Sequence, residues 1–243
     1  MVSAGEAGRM GCTGGVFSVK MKEKGGMTME LREKKEGLGR RICAVGRQLA
    51  QAGYVAANDG NISVRCPDGH ILVTPTGVYK GELTPEILLE LTGEGEVVAR
   101  GALGPSSETP MHLALYDACP EVGAVIHTHS PYALCMAGQG EDLTRPITAD
   151  SVILLGRVPV LPYLPLGTPA LAGEVAEAGR SGARAALLAC HGAVSWGKDL
   201  EQAWFRTQAL EHYCHQLWLQ AQLPRPGREL TAEEEADLRA RYK

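Results

Sequence analysis

An α/β layered domain is the fold class this chain predicts. Three observations point to it: helical and strand patterns mix along the chain, no internal repeat is visible, and 243 residues at 44% hydrophobic content can bury a substantial core. Charged residues make up 21%, an ordinary value for a globular protein.

Residues 1–28 carry no sustained period and are rich in Gly, Ser, Lys and Met. Lys24-Gly25-Gly26 is compatible with purine-rich codons resembling a ribosome-binding site just ahead of Met29. The expectation is a start at Met29 or Met27, with 1–28 an extension outside the native protein or else a disordered tail, and one domain over 29–243. Leu31 to Ala52 reads as an amphipathic helix through Leu38, Ile42, Val45 and Leu49, stopped by Gly53. After the turn Asn58-Asp59-Gly60-Asn61, the segments 62–65 and 70–73 alternate like two strands joined by Pro67-Asp68-Gly69. Pro75-Thr76-Gly77 is a further turn, Thr84-Pro85-Glu86 caps a short helix, and strands flank Gly93-Glu94-Gly95. Ser106-Ser107-Glu108-Thr109-Pro110 leads into a helix reaching Tyr116, followed by a strand over 123–129 and a helix from Pro131 to Met136. Segments 152–155 and 158–161 are apolar strand candidates. A helix from Thr168 to Ala178, a strand over 185–190, the longest helix from Asp199 to about Leu223, and a Thr231-capped helix over 232–241 complete the pattern.

Composition narrows the function. The net charge is −4 with no long basic stripe, which argues against nucleic acid as partner. No apolar run approaches a membrane span, and the first residues lack the apolar core of a signal peptide. Seven cysteines with no C-x-x-C pair argue against a disulfide framework and for a reducing cytoplasm. Cys190 is expected to pack in the core on the strand face opposite His191.

The most informative residues are His127-Thr128-His129, at the end of the apolar run 123–126. Residues i and i+2 of a strand face the same way, so both imidazoles project together. His191 closes a second apolar run. Three histidines leave one position of a tetrahedral Zn²⁺ open, the catalytic pattern. A single strand-end histidine is more commonly structural; two at this spacing with a third after a matching strand are harder to read that way. Asn61 beside Gly60, Thr76-Gly77, and Ser106-Ser107 ahead of a helix offer backbone N–H groups and short side chains suited to a phosphate. Turn chemistry, and capping by Ser107, account for the same residues without a ligand. Glu108 is a candidate general acid or base beside a metal. His112 is expected to pack on its helix, Tyr163 near a strand end, and His70, His212 and His215 to be structural or surface residues.

Gly60-Asn61-Ile62-Ser63, Thr74-Pro75-Thr76-Gly77, Ser106-Ser107-Glu108, His127-Thr128-His129-Ser130 and His191-Gly192 occur in that order. Together they resemble the class II aldolase/adducin-head family, and within it the fuculose-phosphate aldolases, over about residues 30–243. The resemblance implies a three-layer α/β/α catalytic domain with a largely antiparallel central sheet, assembled as a homotetramer with sites at subunit interfaces. It implies zinc held by His127, His129 and His191, with Glu108 as acid/base and as a further ligand when no substrate is present. Asn61, Thr76, Gly77, Ser106 and Ser107 would hold the phosphate of a sugar substrate. The implied reaction is cleavage of a ketose 1-phosphate such as L-fuculose 1-phosphate to dihydroxyacetone phosphate and an aldehyde. The chain departs from the pattern in having no tyrosine in 146–151, where fuculose aldolases carry an aldehyde-side proton donor; Tyr242 is the match offered for a second, C-terminal tyrosine. Related chemistries are methylthioribulose-phosphate dehydration, decarboxylation of sugar-acid phosphates and phosphopentulose 4-epimerisation. Epimerases typically carry Asp where this chain has Glu108. A non-enzymatic adducin-head-like module would have no need of the histidines and Glu108.

Overall fold

A computed structural model describes residues 28–99, 103–140, 142–225 and 227–242. The expectations for 1–27 lie outside these residues. Helix α1 (Met29–Gln51) is capped by the Thr28 hydroxyl, which accepts from the Leu31 N–H, and it buries Ile42, Val45 and Leu49. Strands β1 (Asn61–Arg65), β2 (Ile71–Val73), β3 (Leu89–Leu91) and β4 (Val97–Ala99) follow, then helix α2 (Thr109–Ala118). Next come β5 (Ala124–Thr128), α3 (Pro131–Ala137), β6 (Val160–Leu161), α4 (Pro169–Arg180), β7 (Ala185–Leu188) and β8 (Gly192–Gly197). Helices α5 (Leu200–Ala221) and α6 (Ala232–Arg241) end the chain.

The eight strands form one sheet in the order β4-β3-β2-β1-β5-β8-β7-β6. Every named pairing is antiparallel except β6 with β7. Alternation of side chains builds three layers. Ala124 and Ile126 of β5 face α1 and α5, whereas Val125 between them faces α2 and α4. In β7, Ala185 and Leu187 pack with α3 and α5, and Ala186 and Leu188 with α2 and α4. The expected α/β/α sandwich with a largely antiparallel sheet is therefore what the chain forms.

Several elements differ from expectation. The segment 152–155 is not a strand but part of a π-helical turn, Ser151–Leu155. Reciprocal bonds between Thr148 and Ser151 start it, and the Gly156 N–H closes it on the Ser151 carbonyl at 2.8 Å. A short apolar run fits either period, and here Val152 and Leu155 are buried at helical spacing. Strand β6 shrinks to two residues because Pro159 and Pro162 flank it. Strand β8 was not expected. The turn between β7 and β8 carries no Gly or Asn in its bend; Cys190 itself takes the left-handed conformation (φ +56°). Cys190 is consequently exposed rather than in the core. Thr84 precedes only a 3₁₀ turn and makes no side-chain cap, and α1 exceeds α5 by one residue. Glu108, not Ser107, is the N-cap residue of α2. Tyr163 stands 62% exposed beyond β6 instead of packing at the strand end.

Candidate metal centre

Strand register places the site. His127 sits opposite Asn61 on β1 and Val194 on β8. It shares the face of Val125, the face covered by α2, whose N-terminus carries Glu108. His129 follows the end of β5, and His191 lies in the turn entering β8. The expected set thus converges. Single atoms of Glu108, His127, His129 and His191 all lie within 4.8 Å of one another. The three imidazole centroids form a triangle with sides of 4.7, 4.9 and 5.2 Å.

The donor set fits a cation. His127 Nδ1 stands 2.9 Å from the Ala193 carbonyl, which can only accept, so Nδ1 carries the hydrogen. In the neutral ring Nε2 then has a free lone pair, and it faces His129 Nε2 at 3.0 Å and Glu108 Oε2 at 3.2 Å. His191 Nε2 and Glu108 Oε1 are 2.7 Å apart without the alignment of a hydrogen bond. Four potential ligand atoms this close together are satisfied by a shared cation, and the outer hydrogen bond of a metal-binding histidine is already present at His127. Burial would raise the Glu108 carboxyl, but positive charge in the cluster, on the imidazoles of His127 and then His191 or on a cation held between them, outweighs it and holds it well below the usual carboxylate range. Burial, reinforced by His127 and His191, pushes His129 down to about 4, so its ring is neutral as ligation requires.

The proposed phosphate segments are also brought together. Asn61 Nδ2 donates to Glu108 Oε2 at 3.0 Å. Thr74 Oγ1 accepts from the Ile62 N–H, and the Thr76 N–H donates to the Gly104 carbonyl. A bridge pairs Pro75 with Pro105, and Ser106 Oγ accepts from the Glu108 N–H. Asn61 at the start of β1 and Ser106 therefore touch Glu108, and the Thr76-Gly77 turn is tied to the segment leading into Ser106-Ser107, with Thr76, Gly77 and Ser107 exposed. Tyr242 is not among them. It stands 60% exposed at the end of α6, beside Ile153 and Arg184.

The remaining histidines have structural partners. His112 is buried, bonded through Nδ1 to Ser63 Oγ at 2.7 Å, and burial pushes it down to about 3. His70 joins Asp68 and Glu90, but Lys35 Nζ already fills that cluster at 2.5 Å from Asp68 and 2.6 Å from Glu90. His215 stacks on Tyr132, and His212 bonds Gln216. Two residues near the centre escaped the sequence reading. Asp59, read only as part of a turn, has Oδ2 3.4 Å from His129 Nδ1. Lys80 is 1% exposed, with its ammonium on the carbonyls of Asn58 and Val78 at 3.1 and 2.6 Å. Nothing in local sequence marks either one, since Asp in a turn and Lys on a polar segment are ordinary.

Comparison with known proteins places this geometry. The profile described as Class II Aldolase and Adducin N-terminal domain matches residues 40–218. A 3-oxo-tetronate 4-phosphate decarboxylase of Escherichia coli (strain CFT073) is 35% identical over 209 residues, covering 84% of this chain and 96% of that protein. The crystal structure of Escherichia coli YgbL, whose description leaves aldolase, epimerase and decarboxylase open, superposes with a TM-score of 0.79 at 34% identity, over 84% of this chain and 99% of that one. An L-fuculose 1-phosphate aldolase structure gives 0.76 at 27% identity, over 85% and 96%.

Proposed function

Because this chain belongs to the class II aldolase and adducin N-terminal domain family, we propose that its three-histidine centre decarboxylates a phosphorylated 3-oxo sugar acid. The observation that carries the reading is the convergence of His127, His129, His191 and Glu108 in a chain similar to a 3-oxo-tetronate 4-phosphate decarboxylase over 96% of that protein's length. This replaces ketose 1-phosphate cleavage as the leading reading.

The chemistry of the two reactions differs only in the leaving group. A 3-oxo-tetronate 4-phosphate has its carboxylate at C1, a hydroxyl at C2, a ketone at C3 and the phosphate at C4. When C1 leaves as CO₂, its bonding electrons pass into the C2–C3 bond and place negative charge on the C3 oxygen. A proton added at C2 then gives dihydroxyacetone phosphate, the same fragment that an aldol cleavage releases. A divalent cation held by the three imidazoles supplies Lewis-acid stabilisation of that oxygen charge when bound. Zn²⁺ is the assignment, by its affinity for imidazole and carboxylate donors. Glu108 is the carboxylate at the centre; ionised at rest, it takes a proton from solvent water and passes it to C2. Asn61 fixes the Glu108 rotamer through Oε2. Gly77 and Thr76, with Asn61, Ser106 and Ser107, hold the phosphate, so that C2 meets Glu108 in one orientation. Carbon dioxide needs no proton as it departs, which agrees with the lack of a tyrosine in 146–151. Tyr242, exposed and apart from the cluster, serves only if a homotetramer presents it to another copy's centre. The cytoplasm is the matching location for its free cysteines.

Aldol cleavage of a ketose 1-phosphate is the second reading, favoured by the likeness to the L-fuculose 1-phosphate aldolase structure. The deciding assay incubates Zn²⁺-loaded protein with 3-oxo-tetronate 4-phosphate, L-fuculose 1-phosphate and L-ribulose 1-phosphate in turn. Equal release of CO₂ and dihydroxyacetone phosphate from the first, abolished by chelator, is expected. Dihydroxyacetone phosphate from either ketose phosphate with no CO₂ from the oxo acid would overturn the decarboxylase reading in favour of the aldolase.

A further inference from the structure

A metal-binding imidazole that uses one ring nitrogen must keep a hydrogen on the other, and an acceptor there fixes its tautomer, its orientation and its basicity. His127 has such an acceptor in the Ala193 carbonyl. His129 turns Nε2 toward His127 Nε2, and so toward the centre, while its Nδ1 faces outward. The group opposite Nδ1 is the carboxylate of Asp59, with Oδ2 at 3.4 Å, a charge contact that needs only a small turn of the ring to align as a hydrogen bond. We propose that Asp59 is the positioning residue of the metal centre, holding His129 as a ligand by accepting its Nδ1 hydrogen with an anionic oxygen.

The turn that carries Asp59 is built to aim that carboxylate. Its other oxygen, Oδ1, accepts from the Ala56 N–H at 2.7 Å, and its own N–H donates to the Ala56 carbonyl at 3.0 Å. Between them Ala57 takes a left-handed conformation (φ +46°), which a side chain with a Cβ adopts at a cost of about 1 kcal/mol. Such strain persists where the surroundings over-determine it. Here the surroundings are the buried Lys80 ammonium, clamped on the Asn58 carbonyl, and the β5 backbone. A Cβ on Gly60 would stand 2.8 Å from the His127 carbonyl, so the turn lies directly against the strand that bears the ligands. The charges around Asp59 are Lys80, Glu108 and the imidazoles, and Asp59 lies outside the four-residue ligand set. Its role is therefore to orient a ligand rather than to be one.

The inference rests on the metal reading of the cluster and is independent of which bond the enzyme breaks. The test titrates Zn²⁺ alone into metal-free protein against a competing chelator, with wild type, Asp59→Asn and Asp59→Ser. Both variants keep an oxygen able to accept from Ala56, so the turn survives while the anionic acceptor is lost. The expected result is a Zn²⁺ dissociation constant raised about 10- to 100-fold in both, with the melting temperature of the metal-free protein unchanged. With Co²⁺ as a second probe, the visible absorption of both variants should shift as the ligand field at His129 loosens. Wild-type affinity in either folded variant would overturn the proposal, as would a lowered metal-free melting temperature with unchanged affinity, which marks a purely structural turn. Failure of wild type to bind Zn²⁺ or Co²⁺ would instead remove the metal reading on which the inference stands.

Discussion

At Glu108, one carboxylate divides its two oxygens between the Asn61 amide and the imidazoles of His127 and His191. Glu108→Gln keeps the size and the Asn61 contact partner while removing the proposed proton carrier. It should retain bound metal and the fold but lose turnover by about 10²- to 10⁴-fold, checked by metal analysis and steady-state rates on the same preparation. His191→Ala should lose both metal and activity, because a centre of three imidazoles cannot spare one. Gly192 offers a sharper test of geometry. A Cβ there would stand 2.4 Å from the Thr128 carbonyl, 2.9 Å from His129 Cδ2 and 3.2 Å from His127 Cε1. Gly192→Ala should force β8 away from β5 at the Thr128 carbonyl and displace both rings, lowering the melting temperature of the metal-free protein as well as Zn²⁺ affinity, as a thermal melt beside a chelator titration will show. The histidine pair was readable from its i, i+2 spacing on an apolar run. Asp59 and Lys80 were not, because their importance comes from which strand end their turn is pressed against.

Among elements, the join between α1 and the β2–β3 edge is held by charge. Lys35 on α1 bridges Asp68 and Glu90, with His70 also on Glu90 at 2.5 Å. Burial opposes ionisation of both carboxyls, yet the Lys35 ammonium prevails and holds them below their ordinary values. A carboxyl depressed in the folded state adds stability above its unfolded value of about 4 and loses it as pH falls through the folded one. Melting temperature should therefore drop as pH is lowered from 6 through 4 and below, and Lys35→Met should be less stable at pH 6 with a shallower acid decline. An equally steep decline in the variant would assign the acid sensitivity elsewhere. Helix starts at this scale were legible at Thr168, Asp199 and Thr231, which each accept from a backbone N–H of the first turn; the Thr28 cap of α1 was not, because it falls in the segment read as an extension. The π-helical turn and β8 were not. The first shares its apolar run with a strand pattern, and the second hides behind a bend in which Cys190 does what a glycine ordinarily would.

For the molecule as a whole, the alternation of helix and strand patterns sufficed for the layers, but strand order came only with pairing. The centre of the sheet, β1-β5-β8, joins segments distant in sequence; the His127–Ala193 contact alone spans 66 residues. Pairings of that range form late, after loop closure has been overcome, so the unfolded chain and the early folding ensemble have no assembled centre to offer a cation. Metal bound to the finished structure would then act as a latch on escape rather than a guide to entry. In stopped-flow denaturant experiments, saturating Zn²⁺ should slow the unfolding limb by roughly the factor it adds to the equilibrium constant and leave the refolding limb where it was. An accelerated refolding limb would mean that the imidazoles meet before β5 and β8 do. On this topology, with the proposed metal bound, the lifetime of the native state should lengthen as metal becomes available, while the rate at which the chain reaches that state should not.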